Sequence, residues 1–101
     1  MDLEETKLMN DLIDLYGCLL TDNQLEIMEY YYMDDLSLAE IAQNLNISRS
    51  AVHDAIKKSS AMLFSYEGKL RLLEKENKKT ELLNRANDLT KEELIKEIEM
   101  L

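Results

Sequence analysis

Hydrophobic and polar positions along this chain recur mostly with the 3.6-residue period of amphipathic α-helices. A first helix is predicted over about residues 3–19, and a second over 22–33. The second follows Thr21 and Gln24, whose side chains can form a capping box with free backbone N–H groups. The expected apolar face of the first helix comprises Leu8, Leu12, Leu15, Tyr16 and Leu19.

Two further helices are predicted with only three residues between them. Ser37 and Glu40 form a second capping box before a helix over 38–45, and Asn46 can adopt the left-handed conformation that ends it. Ser48 then caps a fourth helix that begins at Arg49. The expected inner apolar positions are Leu38, Ile41, Ala42, Leu45, Ile47, Val52 and Ile56. This combination predicts a helix-turn-helix over residues 37–58.

The fourth helix carries an apolar seam with a 3.5-residue repeat, which is typical of coiled coils. The seam comprises Val52, Ile56, Ser59, Leu63, Tyr66, Leu70 and Leu73. Either the first two helices or a second chain must cover it, and we expect a homodimer. The repeat fails at Asn77 and Thr80, so a bend or break is predicted near residues 76–80, and Thr90 opens a last short helix. The predicted organisation is a helix-turn-helix domain over 1–75 and a helical extension over 76–101, packing on the same or a partner chain.

Composition favours a small all-α helical bundle. The 101 residues fit one domain, and 46% hydrophobic residues indicate a globular chain. There are no prolines and only 2 glycines, whereas sandwiches and barrels need such residues at their turns.

Several functional classes are disfavoured by what the sequence lacks. It has no long apolar run, its first residues are acidic, and its single cysteine, Cys18, is expected to be a buried apolar side chain in a reducing compartment. One histidine and one cysteine are a poor basis for a zinc site, and the common catalytic motifs are missing. We therefore expect a cytoplasmic protein that is not an enzyme, with no cofactor, no metal and no membrane insertion.

The net charge of −9 is concentrated in the first third of the chain. Residues 1–36 contain ten acids and one base, whereas residues 37–68 and 69–101 each sum to zero. Proteins that bind nucleic acids usually present a basic face, so this charge argues against such binding. It fits contact with a basic partner surface, or simply solubility. Tyr30, Tyr31 and Tyr32 lie beside acids and are expected to pack in the core rather than stack on bases.

Exposed residues at the start of the fourth helix are candidates for contact with duplex DNA. The predicted nucleic-acid-binding residues are Ser48, Arg49, Ser50, His53, Lys57 and Lys58. Arg49 can donate two hydrogen bonds to guanine, Ser50 or His53 can reach neighbouring bases, and the lysines suit phosphates. Asp54, on the same helix, would repel phosphates. An ordinary solvated helix face is the alternative interpretation.

Three segments together resemble the YlxM family. They are L-T-x-x-Q at 20–24, Y-Y-Y-M-D-D-L-S-L-A-E-I-A at 30–42 and N-I-S-R-S-A-V-H-D-A-I at 46–56. The family comprises small bacterial helix-turn-helix proteins similar to region four of sigma factors, encoded beside the genes of the signal recognition particle, its GTPase and the receptor. The resemblance covers about residues 8–75. It implies a regulatory role in co-translational membrane targeting.

Two functions remain in competition at this point. The first is a DNA-binding regulatory protein, which binds double-stranded DNA through the fourth helix. The alternative is a protein-interaction module that does not bind DNA and assists or regulates the signal recognition particle GTPase or its receptor. A contact with the particle's RNA is a third interpretation, although RNA recognition usually uses other modules.

Overall fold

The computed structural model describes residues 3–85 and 90–100, and these ranges are built from α-helices joined by short turns. The helices are α1 (Leu3–Tyr16), α2 (Asp22–Tyr32), α3 (Leu38–Leu45), α4 (Arg49–Leu70), α5 (Leu72–Arg85) and α6 (Lys91–Glu99), with a 3₁₀ turn at Gly17–Leu19. No strand occurs in the two described ranges. The predicted all-α class and long fourth helix are thereby confirmed.

The chain divides into two compact units, Met1–Leu70 and Arg71–Leu101. The first unit contains α1 to α4 and therefore the whole helix-turn-helix. The second contains α5 and α6. The predicted division into two domains after residue 75 stays a prediction.

Two helices begin at the predicted capping boxes. The Thr21 hydroxyl accepts from the Gln24 N–H at 3.1 Å, and the Gln24 side chain accepts from the Thr21 N–H at 3.0 Å. Ser37 and Glu40 make the same reciprocal pair, with both distances 3.1 Å. Because these bonds lie within four consecutive residues, the local sequence alone determines where α2 and α3 begin.

The apolar face of α1 differs in part from the prediction. The buried residues are Met9, Leu12, Ile13 and Tyr16, whereas Leu8 is 38% and Leu19 48% exposed. The apolar arc of this helix is wide enough to contain two neighbouring stripes. Packing of α1 against α2 and α4 selects the stripe that carries Met9 and Ile13.

The seam of α4 is covered within the first unit. Val52, Ser59 and Leu63 are fully buried, and α1, α2 and α3 all pack against α4. Farther along, the Tyr16 hydroxyl donates to the Glu67 carboxylate at 2.7 Å, and its ring lies 6.1 Å from that of Tyr66. The chain's own helices therefore provide the cover that this part of the seam requires.

The tyrosine triplet belongs to the core and its edge, as predicted. Tyr32 is buried, while Tyr30 and Tyr31 are half-buried and pack against the core beneath the helix-turn-helix. Burial raises the pKa of Tyr32 above its usual value, and a hydrogen bond with Ser60 partly offsets the rise. The expectation for Cys18 is wrong, because the 3₁₀ turn buries Gly17 and leaves this thiol exposed.

The predicted break near residues 76–80 is also wrong. These residues lie inside α5, and the helical path is instead interrupted at Arg71, whose φ is 52°. The failure of the apolar repeat at Asn77 and Thr80 reflects an exposed helix face rather than a helix end. A helix continues through polar residues wherever its backbone hydrogen bonds are kept.

Candidate nucleic-acid interface

A small core cluster holds the helix-turn-helix together. Ile27 of α2, Ile41 of α3 and Val52 of α4 are fully or almost fully buried and form its centre. The small side chain of Ala42 packs beside them. Each helix of the motif thus rests on α2, which fixes the direction in which the start of α4 faces solvent.

The turn between α3 and α4 has the predicted conformation. Asn46 has a φ of 55° and a ψ of 44°, which is the left-handed region. This geometry lets the Ile47 N–H donate to the Ala42 carbonyl at 3.1 Å, so that an otherwise free carbonyl at the end of α3 is satisfied. Ile47 itself is 38% exposed, so the expectation that it points inward is wrong. The left-handed turn at Asn46 places the Ile47 side chain at the edge of the core.

Ser48 forms the start of α4. Its hydroxyl accepts from the Ala51 N–H at 3.0 Å, and its carbonyl accepts from the Val52 N–H at 3.1 Å. The hydroxyl oxygen is therefore an acceptor in the cap, and its own O–H remains a donor that can face a phosphate. Arg49 follows as the first helical residue, at the end where the helix dipole is positive.

The other predicted DNA contacts share the outer face of α4. Arg49, Ser50, His53, Lys57 and Lys58 are all exposed. At 100° per residue, Arg49, His53 and Lys57 follow one another at i, i+4 and i+8, and Ser50 lies beside them. All five therefore lie in one solvent-facing strip about two turns long, which spans about half of the helix circumference because Lys58 is about 180° from Arg49.

Asp54 lies within the same strip and reduces its positive charge. Its Oδ1 is 3.9 Å from Nδ1 of His53, and both side chains are about two-thirds exposed. At this distance and exposure the pair contributes little to stability. Three permanent cations and one carboxylate therefore define the electrostatics of residues 48–58.

One residue of this surface was missed by the sequence analysis. Leu38, at the start of α3, is half-buried and lines a shallow depression together with Arg49, Ser50, His53 and Asp54. The apolar pattern predicts Leu38 as a core residue, and part of it does pack against the core. Its outer edge lies at the surface beside the start of α4, a placement that the local pattern around Leu38 does not encode.

Three exposed cations on one helix face give this surface the charge that attracts a polyanion. Over residues 3–85 and 90–100, no three His, Cys, Asp or Glu side chains are grouped closely enough to hold a metal ion. None of the described helices is both long and apolar enough to cross a membrane. The depression beside Leu38 is open, and its polar groups are exposed side chains.

Sequence comparison places this chain among helix-turn-helix proteins. The family described as "Putative helix-turn-helix protein, YlxM / p13 like" matches residues 3–101. UPF0122 protein YlxM of Bacillus subtilis (strain 168) is 48% identical over 89 residues, covering 88% of this chain and 81% of the relative. A UPF0122 protein of Shouchella clausii is 53% identical over 81 residues, covering 80% and 74%. One from Halalkalibacterium halodurans is 45% identical over 104 residues, covering 98% and 95%.

Proposed function

Because the chain belongs to the YlxM / p13-like family of helix-turn-helix proteins, we propose that it is a regulatory protein that binds double-stranded DNA through the start of α4. The observation that carries this proposal is the exposed strip of Arg49, Ser50, His53, Lys57 and Lys58 directly after the Ser48 cap. In a helix-turn-helix, the N-terminal residues of the second helix reach base edges in the major groove.

Each residue of the strip has a distinct role in this proposal. Arg49 donates to the O6 and N7 atoms of guanine, while Ser50 and His53 contact neighbouring bases. Lys57 and Lys58, one to two turns farther along, contact phosphates and set the register of the helix. Asp54 lowers the affinity, because its carboxylate faces the same polyanion.

The small number of cations favours a homodimer as the binding species. One strip offers three bases, and a two-fold axis doubles that number and presents two equivalent helices to a palindromic site. In such a dimer the two helices enter the groove about 34 Å apart, one turn of DNA. The similarity to region four of sigma factors and a cytoplasmic location belong to the same proposal.

The test is a fluorescence-anisotropy titration with duplex DNA from upstream of the protein's own operon, at 50 and 150 mM salt. Wild type is compared with Arg49→Ala/Lys57→Ala, which removes two of the three proposed cationic contacts. We expect saturable binding by wild type and a loss of at least about 30-fold in the double variant, since each charged contact contributes about 1–3 kcal/mol.

The matched control is Lys69→Ala/Lys75→Ala. It removes the same charge from two exposed positions outside the strip, on α4 and α5. It should bind nearly as tightly as wild type. Equal losses in both double variants would show that only net charge matters, and binding no tighter than to scrambled DNA would refute the proposal.

A second candidate function is favoured by the acidic surface of α1 and α2. Glu4, Asp14, Asp22, Glu26 and Glu29 are all exposed, and Lys7 is already paired with Asp11 at 2.9 Å. Such a surface suits a basic protein partner. In this alternative the helix-turn-helix is a scaffold, and the protein assists or regulates the signal recognition particle GTPase or its receptor.

The two candidates are separated by one further binding experiment. Purified signal recognition particle GTPase and receptor are titrated against wild type and Glu26→Lys/Glu29→Lys, with Arg49→Ala/Lys57→Ala as the control. The second candidate requires binding that the α2 variant removes and the α4 variant keeps. No binding at micromolar concentration would eliminate it.

A further inference from the structure

The unit formed by α5 and α6 is small for a stretch of chain with its own contacts. It extends over Arg71–Leu101, about 30 residues. Chains shorter than about 40 residues rarely bury enough apolar surface alone, and oligomerisation is one of the usual sources of the missing stability. The size of this unit therefore raises the question of what covers its apolar side chains.

This unit exposes more large apolar side chains than it buries. Leu73 and Leu82 are the buried residues of α5, and none of the residues Lys91–Glu99 of α6 is buried. Among the described residues of the unit, five large apolar side chains are exposed: Leu72, Leu83, Ile95, Ile98 and Met100. Leu83 is 73% and Ile98 53% exposed. An amphipathic helix normally buries such positions against another element.

The exposed side chains border an apolar groove between α5 and α6. The groove is lined by Lys79, Leu82, Leu83, Leu94 and Ile98, and its wall is almost entirely apolar. An ion pair between Arg85 and Glu97, with an N–O distance of 3.7 Å, joins the two helices. Two antiparallel helices bury only the line along which they touch, so a helical hairpin keeps one apolar face open to a further layer.

The charges of the two helices favour a second copy of this chain as the occupant of the groove. α5 contains four bases and three acids, whereas α6 contains two bases and four acids. When two such hairpins pair about a two-fold axis, α5 of one copy lies against α6 of the other. A net positive helix then faces a net negative helix in both contacts, and Lys79 approaches the carboxylates of the partner's α6.

We propose that this groove is the homodimer interface, and that the α5–α6 hairpins of two copies pack into a four-helix bundle. Leu83 and Ile98 of each copy then belong to one shared core. The inference rests on the homodimer of the proposed function and names the surface that forms it. It does not depend on whether the protein binds DNA.

Sedimentation velocity of the full chain tests this interface over concentrations from about 1 to 200 μM. Wild type is compared with Leu83→Glu. We expect the dissociation constant of the dimer to rise at least about 100-fold in the variant, because the two-fold axis places a carboxylate in the apolar core twice.

Two control variants distinguish the interface from general effects of the substitution. Leu3→Glu makes the same chemical change at a leucine of α1 that is 88% exposed, and it should leave the dissociation constant unchanged. Leu83→Met keeps an apolar side chain of similar volume and should also keep the dimer. Far-ultraviolet circular dichroism of each variant measures whether the helices remain folded.

Substitutions of Lys79 test the interface a second time, in case Leu83→Glu does not fold. Lys79 is exposed, so a change of its charge costs the monomer little. Lys79→Glu should raise the dissociation constant at least about tenfold, whereas Lys79→Arg should leave it nearly unchanged.

Two results would overturn the inference, and they differ in what else they remove. A folded Leu83→Glu or Lys79→Glu protein that dimerises as tightly as wild type would place the interface on another surface, and the homodimer itself would stand. A wild type that stays monomeric at every concentration would refute both the interface and the homodimer. In neither case is DNA binding affected as a proposal, since sedimentation is measured without DNA.

Discussion

At the scale of single residues, two adjacent serines of α4 have opposite environments. Ser59 is fully buried, and its hydroxyl oxygen has no hydrogen-bond partner among the described residues. Ser60 is half-buried and forms a hydrogen bond with the hydroxyl of Tyr32. A buried hydroxyl without a hydrogen-bond partner lowers the free energy of unfolding by about 1–3 kcal/mol, whereas a hydrogen bond that is formed raises it by about 1 kcal/mol.

The same substitution at the two positions should therefore have effects of opposite sign. We expect Ser59→Ala to raise the free energy of unfolding by about 1 kcal/mol and Ser60→Ala to lower it by about 1 kcal/mol. Urea denaturation followed by circular dichroism measures both, and each variant serves as the control for the other. A destabilised Ser59→Ala protein would mean that this hydroxyl has a partner after all.

At the scale of elements, side-chain caps and one left-handed residue determine where most helices begin and end. Thr21, Ser37 and Ser48 each bond within three residues, and Asn46 ends α3. Such signals are local and can be predicted from the sequence. The end of α4 has no such signal, which is why the sequence places the break too late.

The turn of the helix-turn-helix offers a direct test of this local control. Asn46→Ala should lower the free energy of unfolding by about 1–2 kcal/mol, because alanine disfavours positive φ, whereas Asn46→Gly should leave it nearly unchanged. Asn44→Ala, at an exposed position inside α3, is the matched control and should have little effect. Thermal unfolding of the three variants measures the difference. Equal stability of the alanine and glycine variants at position 46 would be inconsistent with a left-handed turn.

At the scale of the whole molecule, charge limits how DNA can be bound. The net charge is −9, and the proposed strip offers three bases against Asp54. Binding through so few cations must be sensitive to salt, because each neutralised phosphate releases counterions. The slope of this salt dependence gives the number of phosphates bound, and therefore shows whether one strip or the two strips of a dimer contact DNA.

We predict the following salt dependence for the complex with duplex DNA. Between 50 and 200 mM salt, the affinity should fall by about 40-fold if one strip binds three phosphates, and by about 2,000-fold if two strips bind six. Anisotropy titrations at four salt concentrations measure the slope, and sedimentation velocity of the free protein measures its oligomeric state. If the protein is a dimer in solution but the affinity falls by only about 40-fold, only one strip contacts DNA. If the affinity does not depend on salt, the strip is not the DNA-binding surface.

The sequence by itself determined the helical class, the starts of the capped helices, the helix-turn-helix at residues 37–58 and the composition of its outer strip. These follow from periodicity and from bonds between residues that are close along the chain. Only the tertiary structure decided which stripe of α1 is buried, that Ile47 and Cys18 are exposed, that Leu38 reaches the surface, and that the helix is interrupted at Arg71. Burial and exposure depend on which neighbouring helix packs against a residue, and such contacts join residues that are far apart along the chain.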